Sequence, residues 1–202
     1  MLENTVETPR DTEVDALRAG TWTLLGRLLM GPPDRELRER MIAIGSETRH
    51  GDAISEAWGR LAEAARAADD DSLADEYQTL FIGVGSGEVT PYSSWYLDES
   101  IASRPLVLLR EELERLGIGL REGSHETEDH AGAVCEIMGF VVLDEDVDFD
   151  WQKEIFERHV DNWMGRLFED IDKAPGADFY RAVAALGSAF LTLERRFYAM
   201  SA

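Results

Sequence analysis

Residues 179–197, FYRAVAALGSAFLTLERRF, decide the fold class. Phe179, Val183, Leu186, Phe190, Leu193 and Phe197 step by four, three, four, three and four, the spacing that lines one side of a long buried α-helix. Such a stripe needs apolar partners, and the rest of the chain offers them in the same period. Asp11 or Thr12 starts a helix to Met30 with Leu17, Leu24, Leu25, Leu28 and Leu29 on its apolar side, and Gly31-Pro32-Pro33 stops it. Asp34 caps a short helix burying Leu37, Met41 and Ile44. Ile54, Trp58, Leu61 and Ala65 mark a helix over 53–68, and the Asp69-Asp70-Asp71 run both closes it and caps a fourth helix over 72–82. Leu106, Leu109, Leu113 and Leu116 define another, ending at Gly117. Thr127 is the expected cap of a helix carrying His130, Val134, Ile137, Met138 and Val141, with Glu128 and Asp129 in its first turn, where the helix dipole favours negative charge. A further helix spans 151–168. No segment sustains alternating apolar residues. The expected architecture is all-α, a compact bundle of about eight helices, and the lack of a ~34-residue repeat argues against a solenoid.

Length and composition fit one domain over residues 12–202 behind an acidic tail, residues 1–11. That tail has no apolar segment after a basic start, and no run approaches the ~20 apolar residues that cross a bilayer, so a cytoplasmic protein without stable membrane insertion is expected. Cys135 is the single cysteine, which excludes an internal disulfide. It sits in an apolar helical pattern, as a small core residue does. The 41 Asp and Glu residues against 20 Lys and Arg leave a net charge of −21, which speaks against nucleic-acid binding. Lys153 and Lys173 are the only lysines. An acid-rich surface almost free of lysine resembles that of proteins from salt-loving organisms, although a field of one sign also attracts basic ligands.

Against this helical background the stretch from Tyr77 to Tyr96, YQTLFIGVGSGEVTPYSSWY, stands out. Tyr77, Leu80 and Phe81 share one helical face until Gly83, Gly85 and Gly87 end it. Pro91 then fixes the chain direction, and Tyr92, Trp95 and Tyr96 follow in what reads as an aromatic loop. The stretch is either a helix-terminating turn whose aromatics plug the core or a recognition surface beside a glycine hinge. Enzyme chemistry finds little support. His125-x-x-x-Asp129 and Glu126-x-x-x-His130 have i, i+4 spacing, but four residues separate the two histidines and the zinc-protease spacing is absent. Gly83-Val-Gly-Ser-Gly87 lacks the Lys-Ser/Thr of a phosphate loop, and Glu88 would repel phosphate. Three consecutive aspartates cannot all face one ion, so residues 69–71 read as solvated capping. No metal, cofactor or catalytic residue is expected. His159 reads as a satisfied interior histidine beside Trp163.

Taken in order, Tyr77-x-x-Leu80-Phe81-x-Gly83, Pro91-Tyr92-x-Ser94-x-Tyr96-Leu97-Asp98, Glu128-Asp129-His130 and Phe156-x-x-His159-x-x-x-Trp163 resemble the TorD/DmsD family of cytoplasmic redox-enzyme maturation chaperones, over roughly residues 12 to 198. Val84, Thr90 and Ala131 depart from the family's usual residues, which bears on the shape of the groove more than on the fold. The resemblance implies an all-helical chaperone that binds the twin-arginine leader, and the apo form, of a molybdenum-cofactor oxidoreductase such as a dimethyl sulfoxide or trimethylamine N-oxide reductase. Such a protein holds back export until cofactor insertion is complete and makes transient contact with the export machinery. Two alternatives are a dedicated assembly chaperone of a nitrate reductase or formate dehydrogenase, and a small metal- or nucleotide-dependent hydrolase. Residue by residue, the resemblance carries leader binding onto Tyr77, Leu80, Pro91, Tyr92, Asp129 and His130. Tyr92 and Asp129 lie outside the apolar stripes, so changing either is expected to spare the fold.

Overall fold

The computed structural model describes residues 12–47, 51–84, 86–119 and 126–200; the acidic tail, Gly85 and His125 lie outside them. Among the described residues the chain forms ten α-helices: α1 (Thr12–Met30), α2 (Arg35–Glu47), α3 (Ala53–Ala67), α4 (Asp70–Tyr77), α5 (Ser93–Asp98), α6 (Arg104–Arg115), α7 (Ala131–Leu143), α8 (Phe149–Phe156), α9 (Met164–Lys173) and α10 (Phe179–Ala199). The fold is all-α. Two helices end in a wider π-helical turn, α4 through Gln78–Ile82 and α8 through Glu157–Asp161.

Local chemistry accounts for most boundaries. Asp34 accepts from Leu37 N–H at 2.7 Å and so opens α2. Asp69 and Ser72 bond reciprocally as a capping box, so the acid run does cap α4 as its sequence suggests. The start of α10 is capped from outside its own segment. Glu76 on α4 accepts from Asp178, Phe179 and Tyr180 N–H at 2.8, 3.1 and 2.8 Å, which satisfies amides that no helical carbonyl can reach.

The core gathers around α10, which packs on α3 and α9, while α1 lies along α7. Phe179, Val183, Leu186 and Phe190 are buried as the stripe requires, but Leu193 is 43% exposed and Phe197 half-buried, so the stripe loosens near its end. Gly187 lets α9 approach: a Cβ there would meet the Phe168 ring at 2.2 Å. A buried ion pair locks α1 to the far end of α10. The Arg18 guanidinium donates to both Glu194 oxygens at 2.7 and 2.9 Å, and Trp22 Nε1–H donates to the same carboxylate at 3.1 Å.

Several expectations need correction. Leu17 and Ile44 are 68% and 46% exposed: each shares a face with a buried neighbour, Leu24 or Leu37, but Leu17 lies toward the start of α1 and Ile44 in the last turn of α2. The aromatic loop is partly helical, since Ser93–Asp98 forms α5. Thr127 does not cap the helix after it: His130 is the N-cap and α7 begins at Ala131, leaving Glu128 and Asp129 in the preceding turn. The helix expected over 151–168 is two, separated at Asn162 and Trp163 where the π turn ends.

Candidate functional site

The two motif segments distant in sequence meet in space. Tyr92 and His130 form one antiparallel bridge. Ser93 N–H donates to the Asp129 carbonyl at 2.9 Å, and Ala131 N–H to the Pro91 carbonyl at 2.7 Å. Asp129 is sealed beneath this clasp. Its carboxylate is fully buried and accepts from the Thr127 hydroxyl at 2.5 Å and from Ser94 N–H, in the first turn of α5, at 3.2 Å. The side chain therefore terminates a helix it does not belong to, a second instance of the device seen at Glu76.

His130 is buried as well. Its Nδ1 accepts from Gly132 N–H at 3.1 Å, which fixes a ring with no proton on that nitrogen. Burial pushes its pKa down, against the opposing pull of the Glu126 and Asp129 charges. Tyr92 stands edge-on to the imidazole, with ring centroids 5.0 Å apart, and its hydroxyl donates to Glu126. Burial and that hydrogen bond raise the Tyr92 pKa and keep it a phenol.

Tyr77 and Leu80 come from the other side. The Tyr77 hydroxyl donates to the Leu29 carbonyl at 3.2 Å, its ring packs on Phe81 and Tyr180, and burial, helped by the Glu126 charge, pushes its pKa up to about 12. Leu80 is fully buried, and its carbonyl accepts from Val89 N–H at 2.9 Å across the glycine turn. Gly83 makes the turn feasible: its φ is 64°, and a Cβ there would meet the Ser86 carbonyl at 2.0 Å. The Glu126 charge bears on both tyrosine hydroxyls and on the His130 imidazole. The six expected residues do not form a bare surface. Leu80, Pro91, Asp129 and His130 are buried, and only Tyr77 and Tyr92 are partly open.

Other supports were not legible in the sequence. Arg110 on α6 grips Glu128 with two bonds of 2.9 and 2.8 Å; eighteen residues separate them and no period links them. Burial alone would push the Glu128 carboxyl up, but the bonds and charge of Arg110 hold it below the usual carboxylate range. Farther off, Trp163 Nε1–H donates to the His159 carbonyl at 2.7 Å. His159 is interior as expected, yet not satisfied, for its buried Nε2 has no hydrogen-bond partner. Burial pushes its pKa down.

Two clefts flank these elements. A groove of about 620 Å³ lies between α3, α4 and the start of α10, with Asp69, Asp75, Glu76 and Asp178 on its walls. A cleft of about 530 Å³ is lined by Trp95, Tyr96, Glu99, Arg166, Glu169 and Asp170. Among the described residues no group of three or more His, Cys, Asp or Glu side chains converges to hold a metal ion, and no helix is long and apolar enough to cross a membrane. Cys135 is buried with its Sγ 3.9 Å from Met164 Sδ, and burial pushes its pKa up, away from a reactive thiolate.

Comparison with known proteins agrees with this architecture. The model of the family described as nitrate reductase delta subunit matches residues 47–169. A protein named probable Tat proofreading chaperone DmsD, from Haemophilus influenzae, is 27% identical over 117 residues, spanning 57% of this chain and 56% of that protein. The crystal structure of a chain described as a redox enzyme maturation protein, from Archaeoglobus fulgidus, matches with a TM-score of 0.62 at 18% identity, covering 95% of this chain and 99% of that one. At that identity the likeness is one of fold.

Proposed function

The chain belongs to the nitrate reductase delta subunit family, the TorD/DmsD-like proteins, and on that premise we propose that it is a cytoplasmic chaperone for the twin-arginine leader, and the apo form, of a molybdenum-cofactor oxidoreductase. One observation carries the reading: the family match runs through both motif segments, and Pro91–Ser93 and Asp129–Ala131 are hydrogen-bonded to each other. In this reading Tyr77 and Tyr92 offer aromatic edges to the leader, while Leu80, Pro91, Asp129 and His130 hold the backbone that carries them. The magnitudes favour the apolar part of the leader as the main source of affinity. Burying ~400 Å² of apolar surface is worth roughly 10 kcal/mol gross, before association and ordering costs. An exposed ion pair contributes about 0–1 kcal/mol, so the arginines would serve selectivity.

The test is calorimetric titration with a synthetic leader peptide, two arginines followed by the apolar segment, without metal or nucleotide. Binding is expected, and truncating the apolar segment should weaken it more than changing Arg-Arg to Lys-Lys. Binding that required zinc or GTP would sink the cofactor-free reading. A second reading, an assembly factor retained by a nitrate reductase, is favoured by the family's description. Co-purification separates the two by whether the client that comes down carries a leader.

A further inference from the structure

We infer that the partner segment docks on the exposed face made by α5, the turn after it and the start of α6, and that its occupant is an apolar peptide stretch flanked by a guanidinium. The inference rests on the leader-binding reading and extends its contact surface from Tyr92, which opens α5, onto a face that the expected residues do not include. Asp129 cannot meet an incoming arginine because it is fully buried beneath the clasp, turned to Thr127 and Ser94. The accessible surface lies next door.

Exposure identifies it. Fourteen large hydrophobic residues are exposed among the described residues, and five of them, Trp95 at 44%, Leu97 at 36%, Ile101 at 57%, Val107 at 53% and Leu108 at 39%, fall within positions 95–108. On α6 the core is already served by Leu106, Leu109 and Leu113, so Val107 and Leu108 are surplus to packing. Because α5 and α6 pack against each other, exposed apolar side chains concentrated on the two of them and their joining turn mark an interaction surface.

The face is also preformed. Glu99 and Ala102, with φ of 53° and 56°, are the two non-glycine residues with left-handed backbone among the described residues, and both sit in the turn joining α5 to α6. Glu99 N–H closes α5 on the Trp95 carbonyl at 3.0 Å, and Ser103 N–H donates to Ser94 Oγ at 3.3 Å, so the turn is held at both ends. A surface ordered in advance loses less entropy when a partner settles on it.

Charge then selects the occupant. The cleft beside Trp95 carries Glu99, Glu169 and Asp170 against one guanidinium, Arg166. That guanidinium is engaged, donating to the Tyr96 carbonyl at 2.5 Å and lying 5.6 Å from the Tyr96 ring centroid. Asp170 accepts from the Tyr96 hydroxyl at 2.9 Å, and Glu169 pairs with Lys173 at 3.1 Å. Glu99 is the carboxylate left for a ligand, and the half-exposed Trp95 indole beside it suits a stacked guanidinium. A second copy of this chain is disfavoured as occupant, because it would bring another net charge of −21. The groove at α3 and α4 has its Glu76 carboxylate engaged by the α10 amides and so offers no comparable counter-charge beside a stacking ring.

The experiment titrates the two-arginine apolar peptide, and the same peptide with citrulline in place of arginine, into wild type, Ile101→Ser/Leu108→Ser and Glu99→Gln. The double variant should bind at least tenfold more weakly with an unchanged melting temperature. Glu99→Gln should weaken the arginine peptide severalfold and leave the citrulline peptide unaffected. A photo-crosslinking residue in the apolar stretch should label residues 95–108 of wild type, a readout independent of variant folding. If wild type binds and the double variant binds as tightly, or labelling falls elsewhere, this location is wrong and the leader reading survives. If wild type binds neither peptide, both fall. A concentration-dependent dimer in ultracentrifugation, abolished by the double variant, would assign the face to self-association and overturn the inference.

Discussion

Asp129 shows how burial changes what a residue can be asked to do. Lying outside every apolar stripe, it reads in sequence as a free carboxylate, and its substitution is expected to spare the fold. The antiparallel clasp encloses it instead, with one oxygen on a hydroxyl and the other on a backbone amide. Asp129→Asn should therefore lower stability by ~1 kcal/mol, because the amide oxygen can stay on Ser94 N–H while the NH2 group turns the Thr127 hydroxyl into an acceptor, exchanging two charge-assisted bonds for neutral ones. A thermal melt with native helicity at low temperature checks this, and an unchanged midpoint would show that the clasp tolerates either group. The two buried histidines predict a pH response. His130 and His159 both have pKa values below the ordinary 6.5, so at acid pH the unfolded chain binds protons that the folded chain resists. Their contribution is complete above 6.5 and is lost as pH falls below it. The Glu128–Arg110 pair, with the carboxyl held below its ordinary 4.5, adds its own loss only as pH falls past that value. Denaturant melts from pH 7.5 to 5.5 should show the first loss, and His159→Gln should flatten it. Nothing in the sequence distinguishes a buried histidine with an idle Nε2 from a satisfied one.

At the scale of elements, the helices legible in sequence are those with local signals. Gly31-Pro32-Pro33 stops α1, the Asp69–Ser72 box starts α4, and the long stripe announces α10. What stayed hidden depends on tertiary contacts. A π turn adds one residue to a helical circuit, shifting every later side chain by about 100°, and no local propensity announces it. Both π turns fall within the motif segments, the first before Gly83 and the second just before Trp163. The α1–α10 lock was equally hidden, for Arg18 and Glu194 are 176 residues apart. Breaking it from one side should be costly. Glu194→Gln leaves the buried Arg18 with Asp15, at 2.9 Å, as its remaining counter-charge, so the cost should approach but not exceed the ~3–5 kcal/mol of an orphaned buried charge, whereas an Arg18→Met/Glu194→Leu pair should recover much of that. Leu186→Ala in the same helix, at ~2–5 kcal/mol, calibrates the scale. Urea melts of wild type, Arg18→Met, Glu194→Leu and the double variant would expose non-additivity; strict additivity would mean the pair is not coupled.

For the whole molecule the governing quantity is charge. Ion pairs such as Arg35–Glu39 and Arg40–Glu36 are exposed, and each is worth only a few tenths of a kcal/mol. An excess of 21 acidic groups repels itself over distances comparable with the ~10 Å screening length of dilute buffer. Repulsion wins, so the melting temperature should rise from low salt to ~2 M KCl, where screening is shorter than the spacing between surface charges. A flat or falling curve would remove salt adaptation as the explanation for the acid surplus. The clasp at Tyr92 and His130 has a different bearing on the molecule. It joins the two ends of the excursion containing α5 and α6, leaving and re-entering the bundle at neighbouring points. A segment anchored in this way is a cassette: residues gained or lost in its turns change its outline while Tyr96, Leu109 and Leu113 keep it seated on the core, so partner choice can diverge while the scaffold stays fixed.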